Sequence, residues 1–331
     1  MATRLIIVEG LPGTGKSTTA SLIARELRER GHTVVCVDEG DPNHPADLPD
    51  YDIFDDFADE RTHILARWRS FVEHADPHTI YVFNCLLLQN PMCETMMRFD
   101  MDEAASRAYI GQIARIIRPL HPLVVYLDRT DVRSTVDAVL AERGEGWLNA
   151  VIDYHTCQGY GAHLALHGYD GYIACLAERK RREMRILESL DVESFVVGQH
   201  LTAEEFGTLF ASAGWAAPDR DQMDAALRHR TVTFVVRRHG RPIACLGLIG
   251  DQAMHWLVAE FIVRPEWQHR LIGQCLYRYA EQYMLSLARP DWTLCIDVRS
   301  SPQAIAFYER CGFTPMPSNG KGPGLEKLLS R

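Results

Sequence analysis

The hydrophobic pattern changes character near the middle of the chain. A short apolar run, Leu5–Val8, precedes a glycine-rich turn, and behind it Ile23, Ala24 and Leu27 recur at helical spacing up to Gly31, where a helix C-cap is expected. Strand-like runs follow at Thr33–Val37, Thr79–Phe83 and Leu123–Leu127, spaced widely enough to leave room for helices. Such alternation predicts a parallel α/β sheet with its functional groups at the carboxyl ends of the strands, which here carry Asp38 and Glu39, then Asn84, then Asp128. Helical character over Gly171–Leu190 gives way to a short strand, Ser194–Val197, that either closes this sheet or opens the next one. From Thr231 the runs TVTFVV, PIACLGLI and HWLVAEFIV follow one another across short turns and predict consecutive antiparallel strands. A long helix entered after Pro265 (Ile272, Leu276, Tyr279, Ala280, Tyr283, Leu287), a strand TLCIDV and the segment SSPQAIAFYERCGF complete the chain. The reading is two domains, 1–195 and 196–331, with no Pro/Ser-rich linker between them.

The chain has 331 residues, enough for two cores, and its 47% hydrophobic and 24% charged content is that of a soluble globular protein. A net charge of −9 argues against nucleic acid as the main partner. The basic run Arg179–Arg182, flanked by Glu178 and Glu183 in a helical stretch, reads as a solvated face. Nine cysteines occur without a CxxC pair or a His/Cys cluster of zinc-site spacing, so reduced, mostly buried thiols are expected. The N-terminal apolar run is too short for a signal-peptide core or a membrane span; a cytoplasmic location, small-molecule substrates and no membrane partner follow as expectations. Oligomeric state leaves no mark in the sequence.

The first chemical signal is G-x-x-x-x-G-K-S, formed by Gly10, Gly15, Lys16 and Ser17, with Gly13 and Thr14 inside it and Thr18 behind, between a buried-type strand and an amphipathic helix. A loop that wraps a triphosphate must turn successive backbone N–H groups inward, which glycines permit, and the helix N-terminus adds positive potential. In this chemistry Lys16 bridges the β- and γ-phosphates of ATP and Ser17 holds Mg²⁺. Residues 1–195 resemble the small P-loop kinases, a group including thymidylate kinase, deoxynucleoside kinases and chloramphenicol phosphotransferase. The resemblance implies a P-loop NTPase parallel sheet with flanking helices, and a general base closing the second strand. It makes Asp38 that base, with Glu39 the alternative; as ordinary loop carboxylates in an Asp/Pro-rich turn they would have neither role. It also implies a basic lid, to which Arg143 in AERGEGW is assigned, with Arg129 and Arg133 as competitors. In the strand order usual for the group, Asn84 lies beside the loop, where a Walker-B carboxylate often sits. The stretch Trp147–Tyr172, with Tyr154, His155, Tyr160, His163, His167, Tyr169 and Tyr172, reads either as an acceptor pocket or lid or as amphipathic side chains packed at a domain surface.

The second signal is a pair of segments. IVRPEWQHRLIGQCL is similar to the pattern V-x-P-x-x-Q/R-x-x-G-x-G/A, and AIAFYERCGF to A-x-x-F-Y-x-x-x-G-F, through Ala304, Phe307, Tyr308, Gly312 and Phe313. Over residues 200–331 the chain thereby resembles the GNAT superfamily of N-acetyltransferases, which implies a mixed α/β domain binding acetyl-CoA. The cofactor turn then consists of Ile262, Val263, Gln268, Arg270, Leu271, Ile272, Gly273 and Gln274, whose backbone N–H groups grip the pyrophosphate. Leu271 departs from the pattern by standing at its first glycine, and Ser301 stands where asparagine is frequent. The resemblance makes Tyr308 the general acid for the departing thiolate, and Glu260 either the base for the acceptor ammonium or an acceptor-binding or structural carboxylate.

The combined expectation is a bifunctional enzyme, Mg-ATP-dependent kinase and acetyltransferase, that modifies antibiotics or metabolites. The competing reading is a regulatory protein that senses nucleotide or acetyl-CoA with one domain inactive.

Overall fold

Every residue of β1 (Leu5–Gly10) is buried, as a strand can be only where both faces of its sheet are covered. In the computed structural model, which describes residues 2–48, 54 and 56–317, β1 pairs in parallel with β3 (Thr79–Asn84) on one side and β4 (Leu123–Leu127) on the other. The strand β2 (Thr33–Val37) lies outside β3, and β5 (Glu193–Gly198) lies outside β4, both again parallel. The strand at Ser194–Val197 thus joins this first sheet as its last parallel strand. An antiparallel strand, β6 (Val232–Arg238), adds to β5 through Val196 opposite Arg237 and Gly198 opposite Val235. The Arg238 guanidinium grips Glu193 through two nitrogens across that pair.

The chain forms two compact units, the first comprising residues 1–201 and 234–243 and the second 202–233 and 244–331. The helices of the first are α1 (Lys16–Glu29), α2 (Phe57–His74), α3 (Gln89–Met92), α4 (Glu103–Ile117), α5 (Val132–Thr156), α6 (Gly159–His163) and α7 (Gly168–Ser189). Asp56, Asp102 and Asp131 cap α2, α4 and α5 by accepting from the backbone three residues on. The face of the sheet that carries Leu5, Ile7, Phe83 and Tyr126 packs on Trp68 and Phe71 of α2, on Tyr109, Ile110 and Ile113 of α4, and on Ile186 of α7. Two departures from helical regularity matter for the site. α3 runs directly into a π-helical turn, Cys93–Arg98, and α5 breaks at Gly144 (φ 78°, ψ 174°).

In the second unit α8 (Ala203–Ser212) starts with a capping box between Thr202 and Glu205, and α9 (Arg220–His229) is capped by Asp219. The strands β7 (Arg241–Gly250) and β8 (His255–Val263) are antiparallel, as their short connection predicts. A crossover through α10 (Ile272–Leu287) returns the chain as β9 (Cys295–Val298), parallel to β8, and α11 (Ile305–Arg310) follows. Among the described residues no helix is long and apolar enough to cross a membrane.

Candidate functional sites

At the carboxyl end of β1 the chain reverses through three glycines with positive φ, for two different reasons. A Cβ on Gly10 (φ 140°) would lie 2.6 Å from the Leu127 carbonyl oxygen, and one on Gly13 (φ 81°) 2.5 Å from that of Thr135, so these two are required by packing. Gly15 (φ 90°) faces open space, with nothing within 4 Å of where its Cβ would stand. The helix behind it has no side-chain cap and no acidic residue in its first turn. Its first internal bond is Thr19 N–H to Gly15 O at 2.9 Å, so the amides of Lys16, Ser17 and Thr18 have no helical acceptor. Inside the loop, Thr14 Oγ1 donates to Leu11 O at 2.9 Å and Lys16 Nζ donates to the same oxygen at 3.2 Å. Uncapped amides, an ammonium held among the described residues by one carbonyl, and clear space over Gly15 are what a polyphosphate needs, so Gly10, Gly13, Thr14, Gly15, Lys16, Ser17 and Thr18 fit that group.

Because β3 lies between β1 and β2, the strand ends carrying Asn84 and Asp38 come together beside this loop. Asn84 is buried, and its Nδ2 donates to Ser17 Oγ at 2.8 Å and to Asp38 Oδ1 at 2.9 Å. An uncharged amide at this position joins the hydroxyl to the carboxylate without adding a second negative charge. Glu39 turns away, its Oε2 accepting from Gln89 Nε2 at 2.7 Å. Of the two alternatives for a base, Asp38 is the one linked to the loop, through Asn84.

The three arginines considered for a lid are placed differently. Arg143 is exposed beside the break at Gly144, its guanidinium 5.5 Å from the Trp147 ring centroid. Arg133 pairs with Asp170 and lies over Tyr169, and Arg129 gives its carbonyl oxygen to Lys180, which also binds Asp128 at 2.6 Å.

Glu9, the last side chain on the covered face of β1, was not singled out by the sequence. It is fully buried; Oε1 accepts from Leu87 N–H (2.8 Å) and Leu88 N–H (2.9 Å), and Oε2 from Gln89 N–H (3.2 Å). These bonds hold the segment behind β3, where Cys85 and Leu86 have φ of 68° and 90°. Burial, with Glu183 nearby, pushes its carboxyl up to about 7 against the pull of those amides.

Arg179 corrects the expectation of a solvated basic face. It is 1% exposed, because this turn of α7 faces the sheet, and its Nε lies 3.1 Å from Oε1 of equally buried Glu183. Tyr126 donates to the other Glu183 oxygen at 2.7 Å, and Arg179 Nη1 reaches Cys93 Sγ at 3.3 Å on the π-helical turn. Arg181 is the solvated member of the run, paired with Glu178. Among the described residues, the buried polar atoms around Arg179 that lack a hydrogen-bond partner include its own Nη2, the Tyr172 hydroxyl and His155 Nε2. His155 Nδ1 donates to Val151 O at 2.7 Å, and burial with the nearby Arg179 charge lowers the ring to about 4, so Nε2 is a free acceptor at neutral pH. The ring centroids of His155 and Tyr172 are 4.8 Å apart, and Tyr172 packs on Leu11 of the glycine-rich loop. His155 and Tyr172 thus share this buried polar region, with exposed Tyr154 donating to Cys93 O at 3.2 Å, whereas His163 pairs with Asp100 and Tyr169 with Asp137 at exposed positions.

In the second unit the β7–β8 ladder slips between Cys245 and Gly247, and the extra residue on β8 puts Glu260 at φ 39°. Glu260 Oε2 lies 2.9 Å from the Arg230 guanidinium, which is itself under the Phe206 ring. Beyond β8, with Ile262 buried and Val263 half-buried, Gln268 Nε2 donates to Val263 O at 3.0 Å and Arg270 lies over Trp267. Leu271 begins α10 at φ 66°, in the left-handed region that favours glycine. The first helical bond is Cys275 N–H to Leu271 O, so the amides of Ile272 and Gly273 have no helical acceptor, and neither a side-chain cap nor an acidic residue occupies the first turn before Gln274 and beyond. That uncapped turn fits a pyrophosphate. Tyr308 of α11 is buried among Phe261, Phe307 and Phe313, and burial pushes its phenol up to about 12.

Residues 229–315 match the family described as "Acetyltransferase (GNAT) domain". This segment is a GNAT acetyltransferase domain. A probable acetyltransferase of unknown function from meticillin-resistant Staphylococcus aureus is similar at 18% identity, over 41% of this chain and 99% of that one, with a TM-score of 0.38. Glucosamine-6-phosphate N-acetyltransferase from Arabidopsis thaliana is similar at 13% identity over 41% of this chain and 99% of that one (TM-score 0.33). An aminoglycoside acetyltransferase from an uncultured soil metagenomic sample is similar at 14% identity over 41% and 97% (TM-score 0.32). No curated protein matches the chain. In the GNAT domain Glu260, the 262–274 turn and Tyr308 stand on β8, on the end of β8 with the entry to α10, and on α11.

Proposed function

We propose that the chain is a bifunctional transferase, in which the first unit phosphorylates a small hydroxylated molecule from Mg-ATP and the GNAT domain acetylates an amine from acetyl-CoA. The observation that carries the kinase half is the chain Ser17–Asn84–Asp38 beside an uncapped helix N-terminus and an open glycine. It supports a site where the loop amides and Lys16 bind the phosphates, Ser17 holds Mg²⁺, and Asp38 takes the proton from the acceptor hydroxyl as its oxygen attacks phosphorus and ADP leaves. ATP and Mg²⁺ would supply the phosphoryl group and charge neutralisation when bound.

The buried polar atoms behind the loop that lack a partner among the described residues support a hydroxyl acceptor in particular. His155 Nε2 accepts, Arg179 Nη2 donates, and the Tyr172 hydroxyl does either. A hydroxyl gives one hydrogen bond and takes another, whereas a carboxylate leaves His155 unmatched. In the GNAT domain acetyl-CoA would supply the acyl group, with the 262–274 turn binding its pyrophosphate and Tyr308 returning a proton to the departing thiolate. Glu260, committed to Arg230, is better suited to fixing the bulge or recognising the acceptor than to proton transfer.

Calorimetric titrations with Mg-ATP and with acetyl-CoA, followed by an acceptor screen reading ADP and free thiol in parallel, test the proposal. Two separable bindings and two products are expected, with phosphorylation lost in Lys16→Ala and acetylation retained. A Lys16→Ala protein that still phosphorylates would sink the kinase half. The left-handed Leu271 favours one competitor, a protein that turns over ATP slowly and merely senses acetyl-CoA. ADP release with no labelled acceptor would be its signature.

A further inference from the structure

The GNAT domain carries a second group of chemically specific side chains, on the sheet and outside the motifs above. In the parallel pairing of β8 with β9, His255 stands opposite Cys295. Side chains alternate along a strand, so Asp297, two residues after Cys295, projects from the same face. Strand pairing therefore gathers an imidazole, a thiol and a carboxylate whose ligand atoms all lie within 4.8 Å of one another. The Cys295 thiol is 3.9 Å from Asp297 Oδ2.

The positions are held from behind. Asp251 Oδ1 accepts from the backbone amides of Ala253, Met254 and His255 at 2.8–3.0 Å, which locks the turn that delivers His255. Cys295 N–H donates to Met254 O at 2.8 Å, so β9 begins on that same turn. The ligand-bearing backbones are thus fixed, and only side-chain torsions remain to close the set. Tetrahedral zinc, with bonds of about 2.0–2.3 Å, needs ligand atoms roughly 3.3–3.8 Å apart, about 1 Å closer than the widest spacing here.

We propose that His255, Cys295 and Asp297 form a three-ligand site for a zinc-class divalent cation, its fourth position open to water. The donor set selects the ion. Thiolate with imidazole favours Zn²⁺ or Co²⁺ over Mg²⁺ and Ca²⁺, and one thiolate plus one carboxylate neutralises the charge of the cation. On binding, the S–H bond of Cys295 gives way to an S–metal bond and the proton passes to solvent, with no change of oxidation state. The location gives the ion a structural task. β9 pairs with β8 over only four residues, none of its side chains is fully buried, and a cation bridging the first pair clamps the start of that strand.

The test is a Co²⁺ titration of the chelator-stripped full chain, followed by displacement with Zn²⁺. One equivalent should produce a thiolate-to-cobalt charge-transfer band that Zn²⁺ abolishes, and Zn²⁺ should raise the melting temperature of the protein. The band should vanish in Cys295→Ser, and affinity should fall at least tenfold in His255→Ala and Asp297→Asn; all three positions are half-buried or exposed, and circular dichroism confirms that each variant folds. Mg²⁺ in the phosphate loop gives no thiolate band and cannot mimic the result. A missing band, or one that survives Cys295→Ser because another of the nine cysteines makes it, overturns the proposal.

Discussion

The side-chain amide of Asn84 donates to Ser17 Oγ at 2.8 Å, while its other hydrogen goes to Asp38 Oδ1 at 2.9 Å. One buried residue thereby sets the orientation of both the proposed cation-binding hydroxyl and the proposed base. Asn84→Ala should leave the strand in place but free both partners. The expected result is a stability loss of about 1–3 kcal/mol by urea melting, and Mg-ATP binding weakened at least tenfold by calorimetry. Unchanged Mg-ATP affinity in a folded Asn84→Ala protein would separate Asn84 from the site.

Lys16 has the opposite profile. Among the described residues its one hydrogen bond is to Leu11 O, at 3.2 Å and half-buried, so Lys16→Ala should cost no more than about 1 kcal/mol in stability. It should nonetheless abolish the thermal stabilisation by Mg-ATP and leave that by acetyl-CoA intact. A variant stabilised by Mg-ATP as much as the parent would remove the phosphates from this loop.

Much of this was legible in the sequence, and what was not has a common physical cause. Strand, turn and helix around Gly10–Ser17 are local, and local hydrogen-bonding needs fix which residues can stand there. Asn84 was anticipated beside the loop only by assuming a strand order, since pairing between distant strands leaves no periodicity to read. Glu9 escaped notice because a single carboxylate ending an apolar run looks like the edge of a strand, until the Leu87–Gln89 amides are known to point at it. Arg179 reads as solvated from its neighbours in sequence, yet successive residues of a helix face different sides, and Arg179 shares its buried face with residues three, four and seven positions away, Glu183 among them. His255 and Cys295 are separated by the whole of α10, so spacing could not join them.

Glu9 makes a pH prediction with a definite sign. Its folded carboxyl titrates near 7, against about 4.3 in an unfolded chain. Between those values the folded state keeps a proton that the unfolded state has lost, so this contribution is complete below about pH 4, falls as pH rises, and is gone above about pH 7. The span corresponds to roughly 3–4 kcal/mol. Glu9→Gln, which stays neutral and still offers one oxygen to Leu87 and Leu88, should flatten that dependence. Comparing urea melts of both proteins at pH 5 and pH 8 reads it directly; a constant difference between them would mean that Glu9 is ionised throughout.

Arg179 and Glu183 should be strongly coupled. Arg179→Met strands a fully buried carboxylate and should cost about 3–5 kcal/mol, whereas Arg179→Met with Glu183→Leu and Tyr126→Phe removes the whole network and should recover most of it. If the acceptor hydroxyl binds at Arg179, the recovered triple variant will be folded and still bind Mg-ATP, yet have a raised KM for the acceptor. Recovery of stability together with an unchanged KM would assign the network to folding alone.

Tyr308 stands in an environment that keeps its phenol protonated. Burial among Phe261, Phe307 and Phe313 pushes the phenol up to about 12, so the ring keeps its proton throughout the range in which the protein is stable. A departing thiolate is the conjugate base of a stronger acid, so full transfer from this phenol is uphill and the hydroxyl contributes by hydrogen-bonding the sulfur as its charge develops. Tyr308→Phe preserves the packing and removes only the hydroxyl. Using the best amine acceptor from the screen, kcat should fall by roughly 10²–10⁴-fold while the Kd for acetyl-CoA stays within twofold. The alkaline limb of the parent profile should show no loss attributable to this group below about pH 11. If instead acetyl-CoA affinity falls in step with kcat, Tyr308 is shaping the cofactor site through its aromatic neighbours, and the proton must come from elsewhere.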